Sequence, residues 1–356
     1  MRINLLRAGG TLALMFVAAA VAAFGDDGRS IFVLTSTNDP SANTVVVFKL
    51  DAIGTPSLTS VDMLPTGGKG GASGNAGILQ FKDNAGAVAN FGSNTVTRLL
   101  RDRDYISVDG TLKLAKGCTQ PDSVAIRDRH LFVVGANCAE SHAWPGGGAD
   151  GVVQLNNASA AQIDAGTNWA AVTLKAVSAS AGAVLQLPLA SDGALSGSGK
   201  LLTLPAMANN TPLGEAFWHD LLGFTPAHSP DSFAVVDEHG NISPIAGPTP
   251  PYPSNAPCWV AKGPGSVWYT ANSPGAAISI FFTDGQGGVF YKSVSLPGSP
   301  TDITVSADRK YLAVIYTANG EAFVSVFGID AYGDLKALAT SSSVGAAAFS
   351  GVAISE

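Results

Sequence analysis

Pro300-Thr301-Asp302-Ile303-Thr304, Leu312-Ala313-Val314-Ile315-Tyr316-Thr317-Ala318-Asn319, Val324-Ser325-Val326-Phe327-Gly328-Ile329 and Tyr332-Gly333-Asp334-Leu335 follow one another near the C-terminus. The second and third are apolar runs of strand length, rich in β-branched and aromatic residues, and the first is a shorter Pro-led run with β-branched Thr and Ile. The second ends in a small residue and Asn, and the fourth turns on Gly-Asp before a further strand. Gly and Asp tolerate the positive φ that tight hairpin turns require. This stretch predicts four consecutive antiparallel strands joined by short turns.

The same landmarks recur outward from it. Asn-terminated strands return as Ile31-Phe32-Val33-Leu34-Thr35-Ser36-Thr37-Asn38, Leu131-Phe132-Val133-Val134-Gly135-Ala136-Asn137 and Val267-Trp268-Tyr269-Thr270-Ala271-Asn272. Pro-led runs return as Pro121-Asp122-Ser123-Val124-Ala125 and Pro257-Cys258-Trp259-Val260-Ala261, with Pro212-Leu213-Gly214-Glu215-Ala216 a looser copy. A four-stranded unit repeating every few tens of residues is the signature of a propeller blade. Seven units are expected, starting near Ile31, Ile78, Val124, Ala171, Glu215, Val260 and Ile303. The final Gly351-Val352-Ala353-Ile354 reads as a first strand without the rest of its blade. It is expected to close the ring beside the first unit and cover two sheet edges. A β-sandwich would not produce this recurrence. The fold class is therefore all-β: a seven-bladed β-propeller of four-stranded antiparallel blades.

Composition agrees. Among 356 residues, 46% are hydrophobic and only 13% charged, with 41 Gly and 20 Pro, which suits many short strands and turns better than long amphipathic helices. The net charge of -7, with no basic cluster beyond the first seven residues, argues against a nucleic-acid partner. Arg2 and Arg7 flank the start of an apolar run, Leu12 to Ala23, which ends in small residues before Gly25-Asp26-Asp27-Gly28. This pattern predicts a cleaved secretory signal over residues 1–23, with 24–356 a single propeller domain, secreted or periplasmic and free of the membrane after cleavage. The alternative, an N-terminal anchor, would have a short apolar run.

Export makes the cysteines readable. Cys118 lies just before the third unit's Pro-led strand, and Cys138 just after its Asn-terminated strand. In an antiparallel hairpin the start of one strand lies beside the end of the next, so these two are expected to form a disulfide. Cys258 is expected to be a buried free thiol. No CxxC or Cys/His ligand spacing appears, so no metal and no cofactor are expected.

The blade pattern, Ala256-Pro257-Cys258-Trp259-Val260-Ala261 before Tyr269-Thr270-Ala271-Asn272, and Ser299-Pro300-Thr301-Asp302-Ile303 before Ser306-Ala307-Asp308-Arg309-Lys310-Tyr311-Leu312 resemble the lactonase-type seven-bladed propellers. That superfamily holds 6-phosphogluconolactonases and carboxymuconate lactonizing enzymes. The resemblance implies a lactone hydrolase or lactone-forming cyclase acting at the mouth of the central channel, on a small-molecule lactone. Family members acting on anionic lactones resemble one another in using Arg near the pocket. Here no Arg lies between Arg129 and Arg309, which weighs against phosphorylated or carboxylated substrates.

The residues suggest where chemistry could sit. Aligning the Pro-led runs sets Glu215 level with Val124, Val260 and Ile303, so its carboxyl is expected to be desolvated and suited to acid/base work. His219 follows four residues later and is the second catalytic candidate. Inner-strand positions suggest a pocket lined by Asp122, Ser123, Trp259 and Asp302. His142, read as part of a long insertion in the third unit, is a further lining candidate. His130 and His239 read as exposed turn residues. No G-x-S-x-G elbow is present, and Gly67-Gly68-Lys69-Gly70-Gly71 lacks Walker spacing. Two readings stand side by side: a lactone-ring enzyme, and a non-catalytic propeller that binds a ligand or protein. A monomer is expected in either case.

Overall fold

The computed structural model describes residues 30–177, 181–205, 211–227, 233–246, 256–346 and 348–356. The expected signal over 1–23 and its boundary lie outside these residues. The described strands form seven four-stranded antiparallel sheets, six of them built from consecutive strands. The exception is the first blade, where Ser350–Ser355 pairs inside Ile31–Ser36, followed outward by Thr44–Asp51 and Ser57–Pro65. The ring is closed by the C-terminal strand. Chain ends are thereby tied by a ladder of backbone hydrogen bonds rather than left as two open edges.

The inner strands of blades two to seven are Leu79–Lys82, Pro121–Arg127, Ala158–Ala165, Thr211–Trp218, Pro257–Lys262 and Ser299–Val305. Each packs against the next, and the last packs against Ser350–Ser355, which completes the circle around a central channel. We call the end where these strands begin the upper face and the other the lower face. Between blades, side chains from facing sheets interlock: Phe233 of blade five lies 5.3 Å from the Trp268 ring and 5.5 Å from Phe281, both of blade six.

A register shift recurs near the upper end of these strands. It falls between Pro121 and Ser123, Pro212 and Glu215, Pro257 and Trp259, and Pro300 and Asp302, and again where Ser350–Ser355 meets the first blade. Such bulges bend a strand and re-aim the residues that follow. At the closing strand the bulge needs Gly351: its φ is +81°, and a Cβ there would stand 2.3 Å from Ile78 Cγ2.

Some expectations need correction. Ala171 does not begin the fourth unit: the inner strand is Ala158–Ala165, and Ala171 lies on the second strand, Trp169–Val177. Ala-Ser-Ala-Ala-Gln-Ile-Asp-Ala has neither a leading Pro nor an apolar run, because Gln162 and Asp164 face polar partners in the channel. Ile31 opens the second strand of its blade, with Ser350–Ser355 supplying the first, as the closing-strand reading expects. His142 is not in a loop. It sits on the third strand of blade three, Cys138–Ala143, and is fully buried. His130 is also buried, opening a strand with its Nε2 3.2 Å from the Asp150 carboxylate. His239 is exposed, as expected.

The Cys118–Cys138 disulfide is present, with Cα atoms 5.7 Å apart, and Cys258 is free. Cys258 is half-buried rather than buried, and burial pushes its thiol up to about 11. No described helix is long and apolar enough to cross a membrane.

Candidate active site in the central channel

The segment Gly74-Asn75-Ala76-Gly77, which leads into blade two, lies across the channel. Asn75 Nδ2 donates to the Asp122 carbonyl of blade three, and Ala76 N–H donates to the Ala161 carbonyl of blade four at 3.2 Å. From the other side, Trp259 Nε1 of blade six donates to the Asn75 carbonyl at 3.2 Å. Contacts with blades three, four and six at once make this segment a plug. Ser123, buried beside it, donates to the Gly77 carbonyl at 3.2 Å and accepts from Ile163 N–H at 3.3 Å.

Two cavities flank the plug and share no lining residue. The upper one, about 400 Å³, lies between blades two, three and four and is lined by Asp122, Gln120, Asn157 and Phe91 among others. The lower one, about 200 Å³, is lined by Asp164, Glu215, Trp259, Lys262, Asp302 and Arg309. The structure thus brings Glu215, Trp259 and Asp302 together and places Asp122 elsewhere. His142 lines neither cavity. His219 is exposed in the turn after the inner strand of blade five, at φ +56°, and lines neither.

The three carboxyls of the lower cavity differ in what holds them. Asp164 accepts from Ala165 N–H at 2.8 Å and Phe217 N–H at 3.0 Å. Asp302 accepts from Ile303 N–H at 2.8 Å and Val352 N–H at 3.2 Å, so the closing strand takes part in the site. Both oxygens of Glu215 are buried without a hydrogen-bond partner. Its backbone, by contrast, is clamped: Gln162 Nε2 donates to the Glu215 carbonyl, and Gln162 Oε1 accepts from Glu215 N–H, each at 2.8 Å.

Electrostatics follow from these partners. Burial, then the neighbouring Asp164 charge, holds the Glu215 carboxyl well above its usual range, with the Asp164 backbone amide pulling the other way. Burial pushes Asp302 up to about 7, while its amide donors pull the other way. Burial also raises Asp164, again opposed by amide donors. In the upper cavity burial lifts Asp122 to about 6, with Lys175 opposing. A carboxyl held well above its usual range therefore lines the same cavity as carboxyls that amides help to ionise, the kind of separation that acid–base pairs need.

Sequence reasoning missed Asp164, Lys262 and Arg309. Arg309 lies in the Ser306-Ala307-Asp308-Arg309 run that carries the family resemblance, but only the fold turns it inward. Arg309 Nη1 donates to the Lys262 carbonyl at 2.6 Å. Lys262 Nζ donates to the carbonyls of Gly263 at 2.7 Å, Gly265 at 2.6 Å and Val267 at 3.1 Å. It also sits 4.7 Å and 5.2 Å over the rings of Trp218 and Trp268. Burial, with Arg309 nearby, pushes this amine down to about 7, whereas the three carbonyls and two indoles favour the ammonium.

Elsewhere, Ser141 Oγ donates to Asp150 at 2.6 Å, and His130 meets the same carboxylate. Serine and histidine both point at the acid, so the serine has no base and this is no nucleophilic triad.

Solved structures share the whole architecture. A protein from Lactobacillus plantarum superposes with a TM-score of 0.70 at 14% identity, covering 92% of this chain and 99% of its own. A protein provisionally assigned as a 6-phosphogluconolactonase from Bacteroides fragilis gives 0.67 at 12% identity, with the same coverage of 92% and 99%. The fold they share with this chain is the seven-bladed β-propeller. A hypothetical selenium-binding protein from Sulfolobus tokodaii gives 0.66 at 10% identity, covering 92% of this chain and 94% of its own, so proteins with unlike names share this ring. At such identities the likeness concerns the fold. No protein-family model and no curated protein matches the chain in sequence.

Proposed function

We propose that this chain is an exported propeller whose lower channel cavity opens or closes the ring of a small neutral lactone by carboxyl acid–base chemistry. The observation that carries this reading is Glu215, a buried carboxyl with both oxygens unpartnered, facing a cavity that also holds Asp302. In the hydrolytic direction Asp302, with its pKa near 7, takes a proton from the attacking water. Glu215, whose buried carboxyl holds its proton well above the usual range, supplies a proton to the alkoxide that leaves the ring. The scheme requires no metal ligand.

Substrate class follows from charge and size. A cavity of about 200 Å³ suits a small ring, below the usual range for drug-sized ligands. Three carboxyls line it against two cations, of which the Lys262 ammonium is already committed to three carbonyls and the Arg309 guanidinium donates to the Lys262 carbonyl. The phosphorylated lactone in the Bacteroides protein's name fits this lining poorly. Export is supported by the signal-like N-terminus and by a disulfide, a bond that persists in oxidising compartments. The commitment of Lys262 favours a second reading, a propeller that binds its ligand in the same cavity without turning it over, as a monomer.

A panel of neutral and acidic γ- and δ-lactones separates the two. Turnover of a neutral lactone, falling about 100-fold or more in Glu215→Gln, is the expected result. Binding without turnover would establish the second reading, and full activity in Glu215→Gln would remove that residue from the chemistry.

A further inference from the structure

A second cluster lies in blade three, away from the channel. Cys138, Glu140 and His142 alternate along one strand, Cys138–Ala143, and so share a face of the sheet. Cys118 reaches them from the loop before the inner strand. One Glu140 oxygen and the two sulfurs lie within 4.8 Å of one another, and all three residues are buried. Glu140 Oε2 accepts from Ala115 N–H at 2.7 Å. Glu140 Oε1 and His142 Nε2 stand 3.1 Å apart, yet neither atom has a hydrogen-bond partner of sound geometry, and His142 is wholly buried. A carboxylate and an imidazole buried this way, beside two sulfurs, exceed what a structural disulfide needs.

The geometry points to a redox-gated site for a thiophilic divalent cation of the zinc class, closed while Cys118 and Cys138 are bonded and opened by reduction. An external dithiol gives two electrons and two protons to the sulfur–sulfur bond and leaves as its own disulfide, so that two thiols remain. The cation displaces both thiol protons to solvent and binds two thiolates and the Glu140 carboxylate. Water supplies the fourth position of a tetrahedron. His142 acts as a positioning residue that fixes the carboxylate. In an oxidising compartment the bond excludes the cation, and a thiol–disulfide partner determines when it can load.

Cobalt(II) is the probe, used with full-length chain carrying Cys258→Ser so that the free thiol cannot contribute. After reduction with a phosphine and anaerobic desalting, the chain is expected to bind one equivalent and to show a thiolate-to-cobalt charge-transfer band with tetrahedral ligand-field bands. The oxidised chain should show neither. Cys118→Ser and Cys138→Ser should each lose at least half of the charge-transfer intensity. His142→Gln should keep the band but bind about 10- to 100-fold more weakly. Should reduction loosen the fold, recovery of the native circular dichroism at one equivalent of zinc supports the site, and failure to recover overturns it. No stoichiometric binding by the reduced chain, or an undiminished band in Cys118→Ser, also overturns it.

Discussion

The two cavities on either side of the plug hold the same chemistry in different states. Asp122 and Glu215 both come from Pro-led inner strands, one and three residues after the proline. Asp122 falls at the bulge and lines the larger upper cavity, where it is lifted only to about 6 and has Lys175 to oppose the shift. Glu215 falls just beyond its bulge, in the smaller lower cavity, with Asp164 as its charged neighbour and no cation among the forces acting on it. Two residues of depth along a strand thus separate a carboxyl lifted to about 6 from one that burial and a neighbouring carboxylate hold well above its usual range. Position relative to the plug, and not residue type, sets the chemistry.

The harshest way to break this contrast is to open the ring. Removing residues 350–356 strips an entire inner strand, including buried Val352 and Ile354, and takes the Val352 N–H from Asp302. The loss is expected to exceed about 3 kcal/mol, at roughly 1.5 kcal/mol or more for each large apolar side chain, and to unfold the chain cooperatively. A truncated chain that melts like the intact one would show that closure contributes nothing.

A subtler test asks whether Glu215 is neutral. Its folded pKa lies above the unfolded value of 4.5, so below that pH both states are protonated and nothing is at stake. As pH rises past 4.5 the unfolded chain ionises and the folded one does not, so stability falls by about 1.4 kcal/mol per pH unit until the folded pKa is reached. Glu215→Gln removes that loss. Calorimetric melting at pH 4, 6 and 8 should find the variant similar to the parent at pH 4 and increasingly more stable above it. A difference independent of pH would mean that Glu215 is ionised in the fold.

The same experiment on Asp122 sharpens the comparison. Its pKa rises from 3.8 to about 6, so the stability loss develops between those values and is constant above. Asp122→Asn should therefore gain on the order of 3 kcal/mol by pH 7 and little more at pH 8, whereas Glu215→Gln, whose parent carboxyl is held well above its usual range, should gain over a wider span of pH. Identical profiles would abolish the distinction between the cavities. The smallest effect is expected from Trp259→Phe, which deletes the indole hydrogen bond to the plug. A loss of about 1 kcal/mol in denaturant unfolding is expected, with faster hydrogen exchange confined to residues 74–77. Unchanged exchange there would show that blade six does not anchor the plug.

Much of the fold could be read from residue patterns because strand order in a propeller is local. The runs around Val314 and Val326 pair with their neighbours in sequence, so period-2 apolarity and Gly/Asp turns specify a blade on their own. Blade four escaped for the same reason in reverse: Gln162 and Asp164 satisfy demands set by blade five, which erase the apolar run. Glu215 was legible as an exception in an aligned apolar column. His219 was not separable from it, because only the turn at φ +56° sends that ring outward.

Sequence alone, then, determined the repeat, the closing strand, the disulfide and one anomalous carboxyl, each encoded within a few residues of chain or by direct comparison of repeats. Tertiary structure alone decided which charged groups share a cavity. Asp164, Glu215, Lys262, Asp302 and Arg309 come from four different blades. Whether such groups meet depends on the bulges, on the plug at 74–77 and on closure of the ring. These are long-range packing outcomes, and no local pattern records them.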